Sequence, residues 1–111
     1  MIMDELQQFK ATYIAECFEL LEDMEARLLQ LEPGSTDKEA LNAIFRCAHS
    51  IKGGAGVFGL TQIGHFTHIF EALLDLVRDD VVPVTAALID TSLTARDALD
   101  QMISAARDDT P

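Results

Sequence analysis

Basic residues are scarce in this chain of 111 residues. Eight lysines and arginines stand against nineteen aspartates and glutamates, a formal net charge of −11. That balance repels the phosphate backbone of DNA or RNA at every long-range approach, which sets nucleic acid aside as a partner. At its plainest, the charge keeps a small domain soluble. Cysteine is scarcer still. Cys17 and Cys47 both fall inside apolar-periodic stretches and form no C-x-x-C pair, which argues against a disulfide framework or a zinc cage and suits a reducing cytoplasm. No apolar run approaches membrane-spanning length, and Met1-Ile2-Met3-Asp4-Glu5 lacks the basic region and apolar core of a signal peptide. A cytoplasmic protein without membrane insertion is therefore expected. A Gly-rich phosphate loop of the Walker type is missing, as is any kinase signature, so the chain should not bind ATP tightly by itself.

What is present is helical periodicity. Ile14, Cys17, Leu21, Met24, Leu28 and Leu31 recur at three- and four-residue steps, which predicts a helix from about Asp4 to Leu31, ended by Pro33-Gly34. Thr36-Asp37-Lys38-Glu39 reads as a capping box with Thr36 as the N-cap of a second helix. Its expected buried stripe is Leu41, Ile44, Phe45, Ala48 and Ile51. A third helix starts near Thr61 and uses Ile63, Phe66, Phe70, Leu73 and Val77, with Ile69, Leu74 and Leu76 widening the stripe before Arg78-Asp79-Asp80 closes it. Thr85 is a plausible N-cap for a fourth, with Leu88, Ile89, Leu99, Met102, Ile103 and Ala106 as apolar positions. Short connections favour antiparallel neighbours, so the fold class is all-α, an antiparallel up-down-up-down four-helix bundle. Residues 1–107 are expected to form this one domain and 108–111 the start of an acidic linker.

His49 lies one step from the buried position of Ala48, among Asn42, Phe45, Arg46, Lys52 and Gly53 on the same face, so it should look out to solvent. Arg46 and Lys52 could each favour an anion there, by roughly 1 kcal/mol or less in water. Gly53-Gly54-Ala55-Gly56 follows, although each helical glycine costs about 1 kcal/mol relative to alanine. Two explanations stand side by side. The small residues clear an approach for another protein, or they end the helix in a loop. On the third helix, His65, His68 and Glu71 share one edge that can face His49 if the two helices pack antiparallel. A carboxylate bonded to one imidazole nitrogen would fix the tautomer and leave the other nitrogen nucleophilic.

The segment Leu41-Asn42-Ala43-Ile44-Phe45-Arg46-Cys47-Ala48-His49-Ser50-Ile51-Lys52-Gly53-Gly54-Ala55-Gly56-Val57-Phe58-Gly59 resembles the phosphoacceptor segment of histidine phosphotransfer (HPt) domains, particularly those of chemotaxis-type histidine kinases. The resemblance continues through Thr67-His68-Ile69-Phe70-Glu71-Ala72-Leu73-Leu74-Asp75 and the local run Leu20-Leu21-Glu22-Asp23-Met24-Glu25. It implies that His49 is the phosphoacceptor, that Glu71 orients the imidazole, that Lys52 supplies charge to the phosphate and that His68 supports the site. Arg46, Gly53 and Gly56 are expected in partner docking. Cys47 stands where alanine is more usual and Val57 where threonine is common. The implied partners are a kinase ATP-binding domain, which would hold ATP and magnesium, and a response-regulator receiver domain. The domain itself needs no cofactor and is an acceptor rather than an enzyme. Such domains often carry a further helix, and the chain stops before one, so a piece of a longer kinase is expected.

Two other functional classes fit the sequence less well. A metal-binding helical bundle would use His49, His65, His68 and Glu71, but bundles of that kind turn their ligands inward, whereas His49 should point outward. A hydrolase lacks triad partners for Ser50 or Ser104 at readable positions.

Overall fold

The computed structural model describes residues 2–108. Four helices follow one another: α1 Ile2–Gln30, α2 Lys38–Val57, α3 Thr61–Arg78 and α4 Ala86–Asp108. No strand occurs among the described residues. Beyond α1, Gly34 takes a φ of +85°, a left-handed value open to glycine because it has no Cβ. Its N–H donates to the Val84 carbonyl at 2.6 Å, so the α1–α2 and α3–α4 connections meet at one end of the molecule. At the same end, the Lys38 ammonium donates to the Arg78 carbonyl (2.5 Å) and to Asp80 (2.6 Å), joining the start of α2 to the end of α3. The chain is thus an antiparallel up-down-up-down bundle, 51 × 20 × 20 Å, in which each helix packs on two others and diagonal pairs do not meet.

Several local expectations change. Asp37, not Thr36, caps α2: its carboxylate accepts the Ala40 N–H at 3.1 Å, while the Ser35 hydroxyl accepts the Asp37 N–H at 3.2 Å. A charged acceptor at the positive end of a helix outcompetes a threonine hydroxyl one residue away. Thr85 does cap α4, accepting the Leu88 N–H at 3.0 Å. Asp108 lies within α4 rather than in a linker. The rest of the expected linker, 109–111, lies outside the described residues.

The core is built from the stripe read on α1 (Ile14, Cys17, Leu21, Met24, Leu28) together with Ile44, Ala48 and Ile51 of α2, Ile63, Phe70 and Leu74 of α3, and Leu99 and Ile103 of α4. Leu41, Val77 and Val84 form a smaller cluster under the loops. Phe45 is only half-buried at the edge of the core. Ile69 and Leu76, expected to widen the third stripe, are 58% and 44% exposed. Thr67 takes the core position instead, fully buried, with its hydroxyl returned to the Ile63 carbonyl at 2.5 Å. α3 thus buries one stripe, Ile63, Thr67, Phe70, Leu74 and Val77.

Helix α2 continues through Gly53, Gly54, Ala55 and Gly56 to Val57, which removes the loop explanation for these residues. They serve different ends. Ala55 is buried. A Cβ on Gly54 would lie 2.1 Å from the Tyr13 ring, whose hydroxyl donates to the Ile51 carbonyl at 2.5 Å, so the aromatic ring of α1 crosses α2 over this glycine. Gly53 and Gly56 are exposed, and a Cβ there would meet nothing within 4 Å.

Opposite stability changes follow within one turn. Gly54→Ala should cost about 1–3 kcal/mol through overpacking against Tyr13, whereas Gly53→Ala and Gly56→Ala should each gain roughly 0.5–1 kcal/mol of helix propensity. Urea midpoints read both signs, and an unchanged midpoint for Gly54→Ala would show that the Tyr13 ring gives way freely.

Candidate functional site

On α2, Ala48 points into the core with no exposure, and the next residue, His49, emerges at the surface. Its side chain is 62% exposed. On α3, the Phe70 ring is anchored in the core and Glu71 follows it at the α2–α3 seam, where its carboxylate is only 14% exposed. The two meet. Nδ1 of His49 lies 2.9 Å from Oε2 of Glu71. The second oxygen, Oε1, accepts from the Lys52 ammonium at 2.8 Å.

Burial taken alone would raise the Glu71 carboxyl, but the hydrogen bonds from Lys52 and then His49, followed by their charges, outweigh it and hold the group below its ordinary value. Glu71 is accordingly a carboxylate, which only accepts. Nδ1 must therefore carry the hydrogen of this contact, and in the neutral ring the lone pair falls on Nε2, away from Glu71. What results is an exposed imidazole nucleophile whose tautomer is set by an ion-paired acid.

No thiol competes with it. Burial first, then the charge of Asp23 3.6 Å away, pushes the Cys47 thiol up to about 11, and Cys17 is likewise buried and raised, burial leading. Both stay protonated near neutral pH.

The residues expected at the site do not all arrive. His49, Lys52 and Glu71 form one bonded group, with Lys52 spent on Glu71 rather than held out to solvent. Gly53 and Gly56 lie on the open face. Arg46 is exposed and makes no hydrogen bond or ion pair with a described residue. His65 and His68 are exposed on α3, and neither bonds to His49 or Glu71. The metal-binding reading loses its footing here, because both Glu71 oxygens are taken and no group of three or more metal-ligating side chains occurs among the described residues.

Two further side chains bear on His49: Phe45, expected in the buried stripe beside it, and Arg78, expected only to close α3. The Phe45 ring, one turn before His49, lies nearly parallel to the imidazole, 13° between planes and 6.0 Å between centroids. The Arg78 guanidinium sits 3.8 Å over the Phe45 ring and is held by Asp75 at 2.6 Å. The i, i+4 spacing of Phe45 and His49 was a readable signal. Arg78 comes from the far end of α3 and carries none.

The family model described as Hpt domain matches residues 8–109. Chemotaxis protein CheA of Salmonella typhimurium is 46% identical over 105 residues, 95% of this chain, and chemotaxis protein CheA of Rhizobium meliloti is 40% identical over 104 residues, 94% of it. The chain spans only 16% and 14% of the length of those two relatives. Among solved structures, the phosphorylated P1 domain of CheA3 from R. sphaeroides, in complex with CheY6, matches with a TM-score of 0.80 at 33% identity, covering 87% of this chain and 76% of that one. The CheA phosphotransferase domain from Thermotoga maritima gives 0.79 at 28% identity, over 87% and 92%.

The lowered Glu71 value fixes the sign of a pH effect. A carboxyl depressed in the folded state adds stability that is fully present above its unfolded value, about 4.3, and is lost as pH falls through the lower folded one. The stability advantage of the native chain over Glu71→Gln should therefore be largest near neutral pH and shrink below about pH 4. Urea unfolding of both forms between pH 7 and pH 3 checks it, and a constant gap would remove the ion-pair account.

Proposed function

The chain belongs to the Hpt domain family, and from that premise we propose that His49 receives a phosphoryl group on Nε2 from a kinase ATP-binding domain and gives it up to an aspartate of a response-regulator receiver domain. The setting is chemotaxis-type two-component signalling in the cytoplasm, within a longer protein-histidine kinase. The observation that carries the reading is the exposed imidazole whose Nδ1 is bonded to a partly buried, ion-paired carboxylate. The character of the relatives, CheA proteins and a phosphorylated P1 domain held with CheY6, supports it.

In the forward step the Nε2 lone pair attacks the terminal phosphorus of ATP, an N–P bond forms, and the bond from phosphorus to the bridging oxygen breaks as ADP leaves. The ring gains positive charge as this happens. The Nδ1–H···Glu71 bond strengthens with that charge, so Glu71 favours the transition state over the ground state. Lys52 keeps the carboxylate ionised and in place. In the return step the N–P electron pair goes back to Nε2 while the regulator's aspartate oxygen bonds to phosphorus. Phosphoryl transfer rests mainly on positioning and charge, and the nucleotide, magnesium and acceptor aspartate all come from the partners. This chain needs no cofactor of its own and is the substrate of both steps rather than their catalyst. Gly53 and Gly56 keep the approach to His49 clear, Arg46 serves partner docking, and His68 has a supporting part.

Incubating the chain with a chemotaxis-type kinase catalytic domain and labelled ATP tests this directly. The label should be lost in acid and kept in base, as for a phosphoimidazole, and His49→Gln should abolish it while the helical circular dichroism stays unchanged. Label retained by His49→Gln would sink the assignment.

Gly53→Leu separates stability from transfer. The new side chain meets no described atom at its Cβ, so the fold should hold or gain slightly, while a clash of about 1–3 kcal/mol with a docking partner would weaken docking roughly 5- to 150-fold. Normal half-saturation by kinase and regulator would show that these glycines clear nothing.

A further inference from the structure

A single hydrogen bond does not fix an imidazole. The contact from Nδ1 to Glu71 sets which nitrogen carries the lone pair, yet the ring can still tilt about that bond, because the terminal torsion of histidine has a broad minimum. Attack on phosphorus needs the in-plane lone pair of Nε2 aligned with the bond that breaks, so the tilt of the plane matters as much as the tautomer. Something beside Glu71 has to define it.

The nearly parallel Phe45 ring is the one aromatic surface in contact range of the imidazole among the described residues. Its base is anchored, since Phe45 packs against the main core. Its face is anchored as well, by the Arg78 guanidinium 3.8 Å over the ring centroid, an attraction between a cation and the negative face of an aromatic ring. Arg78 is itself restrained by Asp75 at 2.6 Å, and its backbone carbonyl takes the Lys38 ammonium at 2.5 Å. A chain of contacts thus runs from the end of α3, through a half-buried ring on α2, to the imidazole one turn on.

On the reading that His49 carries the phosphoryl group, we infer that Phe45 and Arg78 are positioning residues for the transfer: Arg78 holds the Phe45 ring, and the ring holds the imidazole plane. Neither touches phosphorus. Glu71 selects the tautomer and the Arg78–Phe45 stack limits the tilt, two restraints on one ring by two different means. The aliphatic stem of a leucine at position 45 would fill the core but present no flat face. A tyrosine would keep the face.

The test uses the whole chain with the kinase catalytic domain, reading phosphorylation rate against chain concentration, alongside NMR of the His49 ring. Phe45→Leu should lower the maximal rate by about tenfold with half-saturation unchanged. The ring nitrogen shifts should keep the tautomer, while the order parameter of the His49 Cε1–H falls and those of the Ile44 and Ile51 methyls do not. Phe45→Tyr should restore the rate, and Arg78→Met should give a smaller loss of the same kind. A normal maximal rate in Phe45→Leu overturns the inference. So does a raised half-saturation with normal maximal rate, which makes Phe45 a docking contact, and so does a parallel loosening of the core methyls, which makes it plain packing. His49→Gln runs beside these variants: label on that variant removes the phosphoacceptor reading itself, whereas an unlabelled His49→Gln with a normal Phe45→Leu removes only the positioning stack.

Discussion

Glu71 is a partly buried carboxylate, and it stays ionised because two partners from α2 satisfy both of its oxygens. Removing either partner would leave a partly buried charge half compensated, which destabilises the docked helices. The helices that bring the three side chains together must therefore be docked before the site exists. That docking is a matter of small and aliphatic residues: a Cβ on Gly64 of α3 would lie 3.7 Å from Ala55 of α2, and Ile44, Ala48 and Ile51 face Ile63, Phe70 and Leu74 across the main core. Chemistry at the surface and packing in the interior are two faces of the α2–α3 pair.

The glycine-rich stretch of α2 shows how one short run can answer to both. Gly54 faces inward and yields its space to Tyr13, a ring from a different helix. Gly53 and Gly56 face outward and yield theirs to solvent. A helix carrying three such weak formers is held by its neighbours rather than by propensity. Tyr13 is the clearest case: burial and the Cys17 hydrogen bond keep its phenol protonated well above its ordinary range, so it remains a donor to the Ile51 carbonyl.

Much of this was readable from the sequence because helical period is a local property. The stripe from Ile14 to Leu28 turns inward as read, His49 turns outward because its neighbour Ala48 turns in, and Glu71 reaches His49 once α2 and α3 run antiparallel. What escaped depends on pairs distant in the chain. Nothing near Gly54 announces Tyr13, 41 positions earlier. Thr67 reads as polar, and only its hydroxyl's return to Ile63 lets it replace Ile69 in the core. Arg78 reads as a helix end, and its place over Phe45 follows from the register between two helices. The cap of α2 slipped for a different reason: two candidates stood side by side, and the choice between Thr36 and Asp37 rests on a difference of strength rather than of pattern.

His49 stands on the outer side of a packed helix, not in a loop or a cleft, with most of its side chain open to water. A phosphoryl group carried there would stand in solvent between partners, with only the Glu71 contact on the far side of the ring belonging to the domain. Shelter would come only when a visiting surface covers the ring.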